Sequence, residues 1–81
     1  MVDLDFRDLA LLKDFIEGNH LSKTTGIMLK DMNLDRSGQT IYRRLVRLES
    51  RGFLGRGFRI SNAYTYFITQ RGIEFYREAI N

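Results

Sequence analysis

One stretch constrains this chain more than any other. It runs from Ser37 to Leu54 and reads Ser-Gly-Gln-Thr-Ile-Tyr-Arg-Arg-Leu-Val-Arg-Leu-Glu-Ser-Arg-Gly-Phe-Leu. Ile41, Leu45 and Leu48 recur at i, i+4 and i+7, a spacing that puts them on one face of an α-helix. Ser37 is placed to cap that helix, because its hydroxyl can accept from a free N–H of the first turn. Gly52 follows the last turn and suits the left-handed position beyond a helix C-terminus. Phe53 and Leu54 then begin an extended pattern. On a wheel of about 100° per residue, Gln39, Arg43, Arg47 and Ser50 lie opposite the apolar stripe. Thr40, Arg44 and Arg51 fall on one flank, and Tyr42, Val46 and Glu49 on the other. A surface helix of purely structural role usually interleaves acids with bases to gain i,i+4 pairs. Four arginines with one acid repel one another unless an anion is near. That composition favours contact with nucleic-acid phosphates and base edges over a merely solvated basic face.

The wider charge pattern points the same way. Net charge is +3, but it is unevenly spread. Residues 1–35 carry four basic side chains against seven acids, whereas residues 36–59 carry seven arginines against Glu49 alone. A local excess of this kind is the electrostatic footprint of a nucleic-acid-binding face. Arginine is also the side chain suited to bidentate contact with phosphate or guanine.

Length and composition exclude several classes. The 81 residues form a single domain, 1–81, with modest capacity to bury surface. Cysteine is absent, which excludes disulfides and thiolate metal sites. His20 is the one histidine and reads as a turn residue; it has no companions at metal-ligand spacing. No metal, cofactor or small-molecule ligand is expected. No apolar run reaches the roughly 18 residues that would suggest a membrane span, and Met-Val-Asp-Leu-Asp lacks a signal-peptide core. These features predict an intracellular, cytoplasmic protein. An enzyme reading finds no phosphate-binding loop and no paired carboxylates that can be placed in a cleft. Gly55-x-Gly57 is better explained by strand geometry than by nucleotide binding.

Taken in order, the chain predicts a first helix capped by Asp3 or Asp5 and running to about Glu17. It has a broad apolar face (Leu4, Leu9, Leu11, Leu12, Phe15, Ile16) and ends in a Gly18-Asn19 turn. Leu21 is read as the anchor of a short strand. A second helix is expected from Ser22, Thr24 or Thr25 through about Met32, weakened by Gly26. Asn33 to Arg36 connects to the arginine-rich helix, with Leu34 tucked under the turn. Two extended runs, Phe53 to Ile60 and Tyr64 to Ile68, flank the turn Ser61-Asn62-Ala63 and read as a hairpin. Thr69 caps a last helix over about Gln70 to Ile80. Its wide apolar arc (Ile73, Phe75, Tyr76, Ala79, Ile80) exceeds what one core contact needs.

This order resembles a winged helix-turn-helix DNA-binding domain: α+β, mainly α, with a three-helix core, a two-stranded β-wing and a C-terminal helix. Leu48-Glu49-Ser50-Arg51-Gly52-Phe53-Leu54 resembles the end of the recognition helix in PadR- and MarR-type transcriptional regulators. Phe67-Ile68-Thr69-Gln70-Arg71-Gly72 resembles their passage from wing to last helix. In layout, a compact domain of this size is also similar to small viral, phage and plasmid regulators. The resemblance implies a sequence-specific double-stranded DNA-binding regulator, a repressor by the usual pattern and a homodimer. The helix over about 37–51 would lie in the major groove, with the wing, 55–63, on backbone or minor groove. Gln39, Thr40, Arg43 and Arg47 are then the expected base readers. Ser37, Tyr42, Arg44 and Arg51 are expected on backbone phosphates, Arg56 and Arg59 on the wing, and Phe75, Tyr76, Ala79 and Ile80 at a dimer interface. Two alternatives stand beside it: a protein-interaction winged helix, and a structured-RNA binder in which Tyr42, Phe58 and Tyr64 are exposed for stacking.

Overall fold

A computed structural model gives the architecture and describes residues 4–32 and 40–81, together with the backbone but not the side chains of residues 38 and 39. The elements run α1 (Phe6–Glu17), a 3-10 turn (Lys23–Thr25), β1 (Ile27–Met28), a second 3-10 turn (Leu29–Asp31), α2 (Gly38–Ser50), β2 (Leu54–Ile60), β3 (Ala63–Ile68) and α3 (Gln70–Ile80). This is a winged-helix fold. The connection at 33–36, Leu34 and the Ser37 cap lie outside the described residues.

Local chemistry accounts for most boundaries. Asp5 is the N-cap of α1: its carboxylate accepts from the N–H groups of Arg7 and Asp8 at 3.0 and 3.1 Å, and Asp8 accepts in return from the Asp5 N–H. The reciprocal pair satisfies donors that a helix start leaves open. At the far end of α1, Asn19 takes the left-handed conformation (φ 64°) rather than Gly18. The end of α2 follows the sequence expectation. Gly52 sits at φ 82°, and the N–H groups of Gly52 and Phe53 reach back to the carbonyls of Glu49 and Leu48. This is the paired closure that a left-handed residue makes possible.

Two expectations are corrected. No α-helix forms between Ser22 and Met32; the segment breaks into two 3-10 turns around β1, and Leu21 lies outside the strand. The reason is tertiary. Ile27 and Met28 pair antiparallel with Tyr66 and Thr65, so the sheet is three-stranded in the order β1-β3-β2 rather than a two-stranded wing. Gly26 presses so closely on β3 that a Cβ there would stand 2.9 Å from that of Thr65. Strand pairing on that strand overrides the weak helix preference of Thr24-Thr25-Gly26.

The core lies between α1, α2 and the sheet. It holds Leu11, Leu12 and Phe15 from α1, Ile41, Leu45 and Leu48 from α2, and Phe53, Leu54, Tyr66 and Ile68 from the sheet side. The Thr69-x-x-Gly72 motif fastens α3 to this core. Thr69 caps the helix by accepting from the Gly72 N–H (3.0 Å), and its hydroxyl donates to the Gly52 carbonyl at 2.6 Å. Gly72 is buried with the Phe53 carbonyl where a Cβ would stand, so only glycine lets α3 approach this closely.

Candidate nucleic-acid interface

The helix α2 has three sides besides its core stripe, and the fold assigns each a different task. On one flank it meets the start of α1. Arg44 donates to Asp5 at 3.1 Å and to Asp8 at 3.0 Å, and Arg47 donates to both oxygens of Asp8 at 3.2 and 2.9 Å. Asp8 is fully buried, and the Arg44 side chain is 14% exposed. Arg47 is therefore held against α1, not free on the outer side where the wheel put it. The acid-rich N-terminal segment folds back onto the arginine-rich helix and cancels part of its charge.

The opposite flank of α2 meets the wing. Glu49 pairs with Arg56 of β2 at 2.8 Å, and that carboxylate raises the Arg56 pKa further above its ordinary value. The guanidinium groups of Arg56 and Arg59 both lie over the Tyr64 ring, 5.1 and 5.7 Å from its centroid. Arg56 opposes Tyr66 and Arg59 opposes Tyr64 in the ladder, with a bulge between them that keeps both arginines on the α2 side of the sheet. Burial pushes the Tyr66 hydroxyl pKa up, against the pull of Arg56.

The remaining side faces solvent. Thr40, Tyr42, Arg43, Val46 and Ser50 are all exposed along it. Thr40 and Arg43 share an open hollow of about 180 Å³ with Arg44 and Arg47. Among the described residues, Arg43 and Arg59 have no acidic partner within ion-pair distance, whereas Arg44, Arg47 and Arg56 each have one. Arg51 is half-buried at the end of α2. The side chain of Gln39 and all of Ser37 lie outside the described residues.

The expected dimer residues divide. Phe75 stacks on Phe53 (4.3 Å between centroids, 19° between planes), so it serves the core as well as the surface. Tyr76 is half-buried against the core, while Ala79 and Ile80 are exposed. With Leu4 and Leu9, Phe75, Glu78 and Ala79 line an apolar hollow of about 340 Å³, and Phe6 close by is 74% exposed. Sequence reasoning missed this contribution of α1. It also missed Asp5 and Asp8 as partners for the arginines, Tyr64 as their platform, and Val46 as an exposed apolar group. The acid pair did leave a signal: Asp5 and Asp8 repeat at i, i+3, the same interval as Arg44 and Arg47.

The described residues contain no group of His, Cys, Asp or Glu able to hold a metal, and no helix long and apolar enough to cross a membrane. No protein family matches the chain by sequence, and no curated protein does. In three dimensions it is similar to TubR from Bacillus megaterium pBM400, with a TM-score of 0.84 at 18% identity, covering 98% of this chain and 89% of that one. At that identity the likeness shows that the two chains share the winged-helix fold.

Proposed function

We propose that this protein is a double-stranded DNA-binding transcription regulator that inserts α2 into the major groove. One observation carries the reading: Arg43 on the outer side of α2 and Arg59 on the adjoining face of the wing are both exposed, and the acids nearby pair with other arginines. A helix fits the major groove, about 12 Å wide, and a guanidinium there reads guanine while a wing cation follows the backbone or minor groove. Gln39, Thr40 and Arg43 are the base readers in this reading. Tyr42 and Arg51 are assigned to phosphates, as Ser37 is from the sequence alone, and Arg56 and Arg59 act from the wing. Arg44 and Arg47 serve first to fix α2 on α1, at the edge of the same hollow. The sequence resemblance of residues 48–54 and 67–72 to PadR- and MarR-type regulators supports this assignment. A homodimer, joined through α3 and the start of α1, would place two such helices on one duplex and repress by occupying it.

The test is a salt titration of binding to the duplex upstream of the gene, to random duplex, and to single-stranded DNA and RNA. Tightest binding to the upstream duplex, with log affinity falling steeply against log salt, is the expected result. Weak, salt-independent binding to all four would refute it. A second reading has an observation of its own: Tyr42 and Phe58 are 47% and 58% exposed, as base stacking would require, although Arg56 and Arg59 lie over the third candidate, Tyr64. Preference for the RNA strand would favour it.

A further inference from the structure

On α2, Val46 is exposed to solvent one turn beyond Arg43 and one turn beyond Tyr42, facing away from the Ile41, Leu45 and Leu48 stripe. Val46 is 37% exposed and lies outside the buried core cluster, and its β-branch lowers helix preference below that of the lysine, glutamate or arginine that an exposed helical site ordinarily carries. Its i±3 and i±4 neighbours on the helix are Tyr42, Arg43, Glu49 and Ser50. A short apolar group among them cannot make a hydrogen bond.

In a major groove this chemistry selects one partner. Adenine, guanine and cytosine present ring nitrogens, carbonyl oxygens or amino groups at that edge, and pressing a valine on any of these removes water from a polar group without replacing its bond. Thymine alone presents a methyl group there. We infer that Val46 is a specificity-determining residue that packs on a thymine C5-methyl, so that the preferred duplex carries thymine within a base step or two of the base read by Arg43. The inference rests on the DNA-binding reading above and extends it from charge to base identity.

The experiment begins by selecting duplexes from a random pool with the full-length protein. In the selected duplex each thymine is then replaced in turn by uracil, which deletes only the methyl. For the wild-type protein, one replacement should weaken binding about three- to fivefold, the scale of one buried methyl group. Val46→Ala should bind the thymine duplex about as weakly as wild type binds the uracil one, and should be indifferent to that replacement; Val46→Thr, which keeps one methyl, should remain partly sensitive. Circular dichroism confirms that these exposed-site variants fold. If a duplex is enriched but no single uracil matters, or Val46→Ala keeps the sensitivity, the methyl contact is refuted while DNA binding stands. If Val46→Ala instead weakens self-association without any methyl dependence, the residue belongs to a protein contact and the inference is again refuted. If no duplex is enriched, the DNA-binding reading itself fails and takes the methyl contact with it.

Discussion

The fold depends on a carboxylate that makes no contact with solvent, and replacing Asp8 by asparagine tests how much. Asp8 is fully buried, accepts from Arg44 at 3.0 Å and from Arg47 at 2.9 and 3.2 Å, and closes the cap of α1 through the Asp5 N–H. Removing one partner of a buried ion pair costs about 3–5 kcal/mol, because the other charge is left without compensation. Two features place Asp8→Asn at the lower end. Asparagine keeps one acceptor oxygen, and the Arg47 side chain is 40% exposed, so its share is screened. A loss of about 3 kcal/mol, in a domain of this size, lowers Tm by roughly 12–24 °C at about 4–8 °C per kcal/mol. Urea and thermal unfolding followed by circular dichroism measure it. Asp8→Leu combined with Arg44→Met should recover most of the loss, since an apolar pair of similar volume often matches a buried ion pair. A loss under about 1 kcal/mol for Asp8→Asn would refute the reasoning: Arg44 would then be finding water as readily as it finds Asp8. A double variant as unstable as the single one would assign the loss to packing instead of charge.

Three further outcomes are expected. Loss of water acts to raise the Asp5 pKa, but the Asp8 N–H, the Arg44 charge and the Arg7 N–H together hold it below its ordinary value of 3.8. The stability Asp5 contributes is therefore fully present above that value and lost as pH falls through the lower folded one, and Asp5→Asn should flatten this acid limb in unfolding measured from about pH 5 to pH 2. Gly72→Ala should destabilise by about 1–3 kcal/mol in the same assay, because the new methyl meets the Phe53 carbonyl. Arg59→Ala should lower the salt slope of duplex binding by about 0.9 with Tm unchanged, whereas Arg44→Met should lower Tm with little change in slope. A slope change at Arg44 equal to that at Arg59 would mean that DNA displaces Asp5 and Asp8 from it.

Much of the architecture is written in local signals. The Ile41-Leu45-Leu48 stripe, Gly52 beyond the last turn and the Thr69 cap each depend on residues a few positions apart, and each appears where the periodicity puts it. The segment from Ser22 to Met32 is different. Its apolar residues suit a helix, yet Ile27 and Met28 find partners in Tyr66 and Thr65, nearly forty residues on, and no window over the segment contains that information. The candidate site divides in the same way. The exposure of Arg43 follows from the wheel, but the pairing of Arg44 with Asp5 and Asp8 spans 39 and 36 residues.

A wheel locates a side chain relative to its own helix's core stripe; it does not say which flank receives a neighbour. Here both flanks are taken, one by α1 and its acids and the other by Glu49, Arg56 and the wing. Arginine suits the α1 flank for the same reason it suits a phosphate, since its planar fork matches two oxygens at once. A count of arginines along the sequence therefore overstates the charge offered to a ligand. The position of the nearest carboxylate sets Arg43 and Arg59 apart from Arg44, Arg47 and Arg56. In the proposed complex the same geometry would confine base contact to the outer row of α2, where Val46 sits one turn from Arg43. A methyl contact and a guanidinium contact one turn apart would give this small surface two unlike tests of sequence, which a phosphate-directed wing would not supply.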